Sequence, residues 1–346
     1  VVGLPGFGRN EGSLNMKRER IWAGVKAVAV VLSAAALQQM VAQPARAHDT
    51  AKHDASAPAA RTVTTNRWGA NYFPNITLTT QDGIKVRFYD DLLKGKSVAV
   101  NIIYTNCKDE CPLETARLVQ LQRLFGERMG KDIFFYSISI DPDHDTPEIL
   151  KAYAAKFGVG PGWTFLTGKA EDIRIVTKKL GLSRYSDAAN KDGHTASLMV
   201  GDVPGGQWMR NSAVDNPQFL ADTIANFLGW RDAQQGKSYA EARPLHLDQG
   251  QYLFQSRCSA CHSIDHGDKV GPDLSGVTTR RNRAWLARYL AEPEAMLAEG
   301  DPVATALFDK YQAIRMPNLR LGRDDIAALL TYLESQSGAS RQQAIK

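Results

Sequence analysis

Between residues 97 and 228, short apolar runs alternate with stretches in which apolar residues recur every three or four positions. The runs at 97–104, 133–140 and 196–200 have the length and the β-branched and aromatic content of buried strands, whereas 112–129, 147–157, 171–180 and 217–228 carry helical spacing. Alternation of this kind predicts an α/β sheet. After the third run, Pro204-Gly205-Gly206 is a tight reversal, so a further strand starting near Gln207 is expected to return beside it as a hairpin. A polar stretch at 231–243 then interrupts the pattern. Beyond about residue 246 no strand pattern is visible, while 248–256, 284–290, 303–313 and 323–335 have helical spacing, the last with Ile326, Leu329, Leu330 and Leu333 on one face. The expected organisation is an α/β domain over 67–230, a linker over 231–245, an all-α domain over 246–335 and a frayed tail over 336–346.

The start of the chain has another character. Met16-Lys-Arg-Glu-Arg20 is a short basic segment, residues 27–37 are unbroken apolar and small residues, and Ala45-Arg46-Ala47 offers a small-x-small cleavage site. Residues 1–47 therefore read as an export signal with an upstream extension; the residues before Met16 fit no part of a signal, which makes Met16 a candidate start. The apolar run is well short of the roughly 20 residues that cross a bilayer, so cleavage before His48 is expected in preference to retention as a membrane anchor. No later segment has the length and apolarity of a span, and the expected location is the periplasm. Residues 48–66, rich in Ala, Ser, Thr and Asp without periodicity, read as a flexible lead.

Composition narrows the function. At 346 residues with 43% apolar and 8% aromatic content, the chain is a packed protein and not a disordered one. Six basic and two acidic residues lie within 1–47, so that stretch carries four of the five excess positive charges and the rest is nearly neutral. No basic field remains to attract nucleic acid. Residues 246–346 hold twelve basic and twelve acidic residues, so strong steering toward an acidic partner is not expected either. The four cysteines fall in two close pairs, Cys107 with Cys111 and Cys258 with Cys261, which suggests chemistry and not a disulfide framework.

Cys258-Ser-Ala-Cys261-His262 has the C-x-x-C-H spacing in which two thiols form thioethers with haem vinyl groups and the adjacent imidazole is an axial ligand of the iron. A three-residue step places both sulfurs on one face of a helical turn. Met316, in a loop before the last helix, is the expected opposite ligand, with Met296 as its rival. A zinc site would need a fourth ligand, for which only His266 is near, and a disulfide would leave His262 without a role. With the loop Gly271-Pro-Asp-Leu-Ser-Gly276 and Met316-Pro317, this region resembles the class I c-type cytochromes over residues 246–335. The resemblance implies one covalent haem c, one-electron transfer, and a backing role for Pro272 behind His262.

The first pair is spaced Cys-x-x-x-Cys, with Cys111-Pro112 opening a helix whose first positions suit proline. The positive end of the helix is expected to lower thiol pKa and favour thiolate, the form that binds soft metals and attacks disulfides. Two thiolates suit Cu(I) as a linear pair, and a third ligand would make the site trigonal. His194, in a loop just before the 196–200 strand, is the candidate; His48 and His53 lie in the flexible lead and His144 in a charged turn. Oxidation of the pair to a disulfide stays open on spacing alone.

Thr105-Asn-Cys107-Lys-Asp-Glu-Cys111-Pro112, Ser139-Ile-Asp141-Pro-Asp-His-Asp145-Thr-Pro147, Trp163-Thr-Phe-Leu-Thr-Gly168 and His194-Thr195 occur in this order, and over about residues 70–230 the chain resembles the Sco/SenC family of copper-binding, thioredoxin-like proteins. The resemblance implies a thioredoxin-like α/β domain ahead of the all-α cytochrome c domain, and copper held by Cys107, Cys111 and His194, with Asp141 near the site but not a ligand. Asp145 or Thr146 is expected to cap the next helix. The family is implicated in supplying copper to the dinuclear copper centre of cytochrome c oxidase, or in reducing the thiols that will hold it. The expected partners are therefore the copper-site subunit of that oxidase and a respiratory electron donor or acceptor. In the alternative role, Cys107 and Cys111 are the redox-active thiols of a thiol–disulfide oxidoreductase. A third role, as a redox sensor or peroxide-reducing enzyme, lacks a resolving thiol other than Cys107.

Overall fold

Both faces of the central strands are covered, which explains why they read as continuous apolar runs instead of an alternating pattern. The structure, a computed structural model, describes residues 68–107, 111–183, 196–230 and 247–343. The export signal, the lead over 48–66, the linker over 231–245 and the candidate ligand His194 lie outside the described residues. The described strands are β1 (Thr77–Thr80), β2 (Lys85–Arg87), β3 (Ser97–Ile103), β4 (Phe134–Ser139), β5 (Trp163–Thr167), β6 (Ser197–Asp202) and β7 (Gln207–Ser212). They form one sheet in the order β2-β1-β5-β4-β3-β6-β7. The β3–β4 and β4–β5 pairs are parallel and the outer pairs antiparallel.

Helices α1 (Cys111–Phe125), α2 (Pro147–Phe157), α3 (Ala170–Lys179) and α4 (Pro217–Phe227) complete the first domain. Side chains of β3 alternate between two clusters, as a period of two requires. Ala99 and Ile103 join Leu113, Leu150 and Leu220 of α1, α2 and α4, while Val98, Val100 and Ile102 join Phe88, Ile173 and Val176 on the opposite face. Thr146 caps α2 by accepting from Ile149 N, with Pro147 following it, and Asn216 caps α4 ahead of Pro217.

The sheet also carries a buried polar chain. Trp163 Nε1 donates to Ser137 Oγ at 2.9 Å, Ser137 Oγ to Asn101 Oδ1 at 2.7 Å, and Asn101 Nδ2 to Glu114 Oε1 at 2.9 Å. It ends on α1, one turn after Cys111.

The strands expected from the sequence are present, and the hairpin after Pro204-Gly205-Gly206 is β6–β7 with Ser197 opposite Ser212. The β1–β2 hairpin and β5 were not foreseen: the hairpin is short and polar, and β5 has no alternation to set it apart from its surroundings.

The second domain contains α5 (Gln249–Leu253), α6 (Val277–Arg280), α7 (Arg283–Ala291), α8 (Pro293–Ala298), α9 (Pro302–Lys310) and α10 (Arg323–Gln343). Asp248, Asn282 and Asp301 cap α5, α7 and α9 with their side-chain oxygens. Helix α5 lies tightly on α10: a Cβ at Gly250 would stand 2.2 Å from the Ala328 carbonyl oxygen and 2.6 Å from Tyr332 Cβ, so this contact accepts only glycine. Ile326, Leu329, Leu330 and Leu333 are buried together, matching the face read from the sequence. Helix α10 continues to Gln343, past residue 335, where a frayed tail was expected; apolar periodicity stops at Leu333 and gave no sign of the extension. The described residues all fall within one compact unit. Among the described residues no helix is long and apolar enough to cross a membrane.

Candidate functional site

Strand β3 ends at Ile103, and the chain turns through Cys107, whose amide bonds to the Tyr104 carbonyl, before α1 begins at Cys111. Cys107 is 3% exposed and Cys111 0%, in a small cluster with Tyr104 and Ile140. Their thiols are in hydrogen-bonding contact. The expectation that the helix end would favour thiolate does not hold for Cys111: burial pushes its thiol well above the usual cysteine range, and Cys107 and the Glu114 carboxyl push the same way. Loss of water outweighs the helix end. Cys111 therefore holds its proton until something that replaces it enters the pocket.

The loop is fixed from the neighbouring strand. Asp145, fully buried, accepts from Thr105 N at 3.1 Å, Thr105 Oγ1 at 2.5 Å and Ser139 Oγ at 2.5 Å. His144 Nδ1 lies 2.9 Å from the same carboxyl, and its Nε2 lies 2.9 Å from Asn106 Nδ2. Thr146 is the helix cap, and Asp145 instead ties the Cys107 loop to the β4–α2 turn. Sequence reasoning missed this because an Asp before Thr-Pro is equally a good helix start. Asp141 sits at the base of the turn, its carbonyl accepting from His144 N and Asp145 N.

In the second domain, Cys258, Cys261, His262 and Met316 line one cavity of about 330 Å³ whose other walls are mostly apolar, including Leu274, Leu286 and Leu330. Met296 is buried in the packing and does not line it; nor does His266, the fourth ligand a zinc site would need. His262 Nδ1 donates to the Pro272 carbonyl at 2.8 Å. A carbonyl only accepts, so the proton is on Nδ1 and Nε2 keeps the lone pair that iron requires. Burial also lowers the His262 pKa against the pull of the Pro272 bond. Gly271 lies flat on the ring: an added Cβ would meet His262 Cε1 at 2.6 Å. Two thiols, a neutral imidazole and a thioether around an apolar cavity fit a covalently attached haem. Pro112, the residue after Cys111, stands in the wall of the same cavity.

Two carboxylates hold the loop behind His262. Asp273 accepts from Ser263 Oγ, Asp265 N, His266 N, Gly267 N and Ser275 N, and Asp268 from Asp273 N, Tyr311 and Lys310. Burial pushes Asp273 up, but Ser275 N, the Ser263 hydroxyl and the other amides prevail and hold it down to about 2. Asp268 is held to about 2, first by Asp273 N and then by Tyr311 and Lys310. Groups with depressed values stabilise the fold fully above their unfolded value of 3.8, and that contribution is lost as pH falls toward 2. Acid titration of the holoprotein should therefore disturb the haem absorption between these limits. Asp273→Asn should move the midpoint to higher pH; an unmoved midpoint would show that the loop does not control the His262 imidazole.

Residues 66–229 match the SCO1/SenC family model, and residues 247–337 the cytochrome c model. The SCO1 protein homolog of Bacillus subtilis is 37% identical over 97 residues, 28% of this chain and 48% of that protein. A SCO2-like protein of Rickettsia prowazekii is 29% identical over 113 residues, 33% of this chain and 53% of that protein. Among solved structures, Bradyrhizobium japonicum ScoI with copper bound is 26% identical and covers 45% of this chain and 99% of its own, with a TM-score of 0.38. The chain spans about half the length of these curated relatives. The mixed sheet is the thioredoxin-like fold expected of the first domain, and the second is helical throughout its described residues. Residues 66–229 thus belong to the SCO1/SenC family and residues 247–337 to the cytochrome c family, joined in a single chain.

Proposed function

We propose that this protein carries copper to the dinuclear copper centre of cytochrome c oxidase and uses a haem c in its second domain for single-electron transfer. The observation that supports this most is the buried Cys107–Cys111 pair at the head of α1, two soft donors in contact with each other and walled off from water. Copper is the cargo here and haem the resident cofactor. As the ion binds, Cys107 and Cys111 release their protons to solvent and bind it as thiolates, and His194 supplies a third donor. Three ligands leave a position open, through which a thiolate of the acceptor subunit enters and displaces the donors one at a time. Asp145 keeps the Cys107 loop in place during the exchange.

In the second domain Cys258 and Cys261 would attach the haem, and His262 and Met316 would be its iron donors. When bound, the haem accepts and donates one electron at a time, which matches Cu(II)/Cu(I) cycling directly. His262 is oriented by Pro272, and the mostly apolar walls of the cavity would keep water from a bound haem. The work is placed in the periplasm, after export directed by residues 1–47.

A thiol–disulfide oxidoreductase would use the same cysteines, but it must bring a substrate disulfide in line with a sulfur, and neither thiol has appreciable exposed surface. His194→Ala separates the two roles. For a copper carrier, anaerobic copper titration and transfer to the oxidase copper subunit should both fail in this variant. Disulfide reduction that persists unchanged, in a chain whose copper binding makes no difference to it, would establish the oxidoreductase.

A further inference from the structure

We propose that α1 joins the two sites into one electron-transfer unit, with Pro112 bridging Cys111 to the haem cavity and Arg117 locking the helix onto the haem-attaching segment. The inference rests on the copper and haem reading above and adds the route between them. Cys111 and Pro112 are consecutive residues, yet the first is one of the paired thiols and the second lines the cavity that holds Cys258, Cys261 and His262. A single peptide unit therefore spans from one site to the wall of the other.

The contact is built, not incidental. Arg117, one and a half turns along α1, is 3% exposed. Its Nη2 donates to the Gln255 carbonyl at 2.7 Å, and its Nη1 to Gln120 Oε1 at 3.1 Å. Gln120 Nε2 reaches the Ser259 carbonyl at 3.4 Å. Both carbonyls belong to the turn that carries the C-x-x-C-H motif. Around this polar lock, Ala260 is buried in the same apolar cluster as Leu113, with Cys261, Val270 and Ile314 packed against it. Among the described residues no carboxylate pairs with Arg117, and burying a lone guanidinium is costly unless its surroundings hold it in place.

Two consequences follow for the chemistry. Reduced iron gives up one electron and becomes ferric, Cu(II) held by Cys107 and Cys111 takes it and becomes Cu(I), and no proton moves and no bond breaks; the reverse exchange balances in the same way. Because both centres are fixed in one body, the exchange needs no encounter between molecules. Arg117 also places a positive charge against the Gln255 carbonyl, three residues before Cys258, which favours the reduced iron and raises the haem potential.

The test uses the full-length holoprotein loaded with Cu(II) in its oxidised form. The Cu(II) electron paramagnetic resonance signal shows first that copper is bound. A flash then reduces the haem by one electron from a photosensitiser, and reoxidation is followed by haem absorbance. The expected phase is first order, with a rate unchanged over a range of protein concentrations. Arg117→Gln should retain the haem spectrum and the Cu(II) signal but slow this phase by roughly tenfold or more, as loss of a fixed geometry does. It should also lower the haem midpoint potential measured without copper. A rate proportional to protein concentration in the unaltered chain overturns the bridge, whatever the variant does, as does a variant unchanged in both rate and potential. Absence of the Cu(II) signal in the unaltered chain overturns the copper reading instead, and the copper-free potential then still decides whether Arg117 acts on the haem.

Discussion

Cys111→Ser should lower copper affinity by more than about 100-fold, since loss of outer-shell partners alone costs about 10–100-fold and this change removes a donor of the proposed copper site. The hydroxyl is a hard, weakly acidic donor in place of a soft one. Its neighbours are the Cys107 thiol, Tyr104 and Ile140. The fold should survive, because the exchange of sulfur for oxygen leaves at most one unsatisfied buried hydroxyl, about 1–3 kcal/mol, set against a total of roughly 5–15 kcal/mol. Anaerobic titration with a competing Cu(I) chelator measures the loss, and thermal unfolding of the same sample shows whether the domain is intact. A variant that unfolds normally and still binds one copper with unchanged affinity would remove Cys111 from the site.

Replacing both Cys258 and Cys261 by alanine should abolish covalent haem, read as loss of haem staining after denaturing electrophoresis. The larger effect is on folding. A void of about 330 Å³ at roughly 24 cal/mol per Å³ corresponds to a penalty of up to about 8 kcal/mol, comparable with the whole stability of a small domain. The second domain should therefore lose its helical circular dichroism and become sensitive to protease, while the first keeps its copper. Retention of a folded second domain without haem would show that the cavity walls can collapse.

The sequence was most legible where one physical requirement dominates. Central strands covered on both sides must be apolar throughout, so β3 and β4 stood out, as did the buried face of α10 with its three-to-four spacing. The cytochrome c domain was legible because the C-x-x-C-H motif requires particular side chains at fixed spacing. What stayed hidden depends on neighbours distant in the chain. β1 and β2 are too short and polar to have a pattern of their own. The thiol environment was misjudged because a local rule about helix ends cannot know how deeply tertiary packing will bury Cys111. Asp145 looked like a cap because its partners, Thr105 and Ser139, lie on other elements. The docking of Arg117 on Gln255 joins residues 138 positions apart and has no signature in the sequence at all.

The buried chain from Trp163 through Ser137 and Asn101 to Glu114 has a mechanical consequence. Asn101 lies directly across from Ser137 in the parallel pairing of β3 with β4. Sliding either strand by one residue would turn these polar groups into the opposite, hydrocarbon-filled layer and strip each of its partner, at about 1–3 kcal/mol apiece. Slippage is thereby blocked a few residues upstream of Cys107, so hydrogen bonds in the sheet fix the register of the strand that leads into the Cys107 turn.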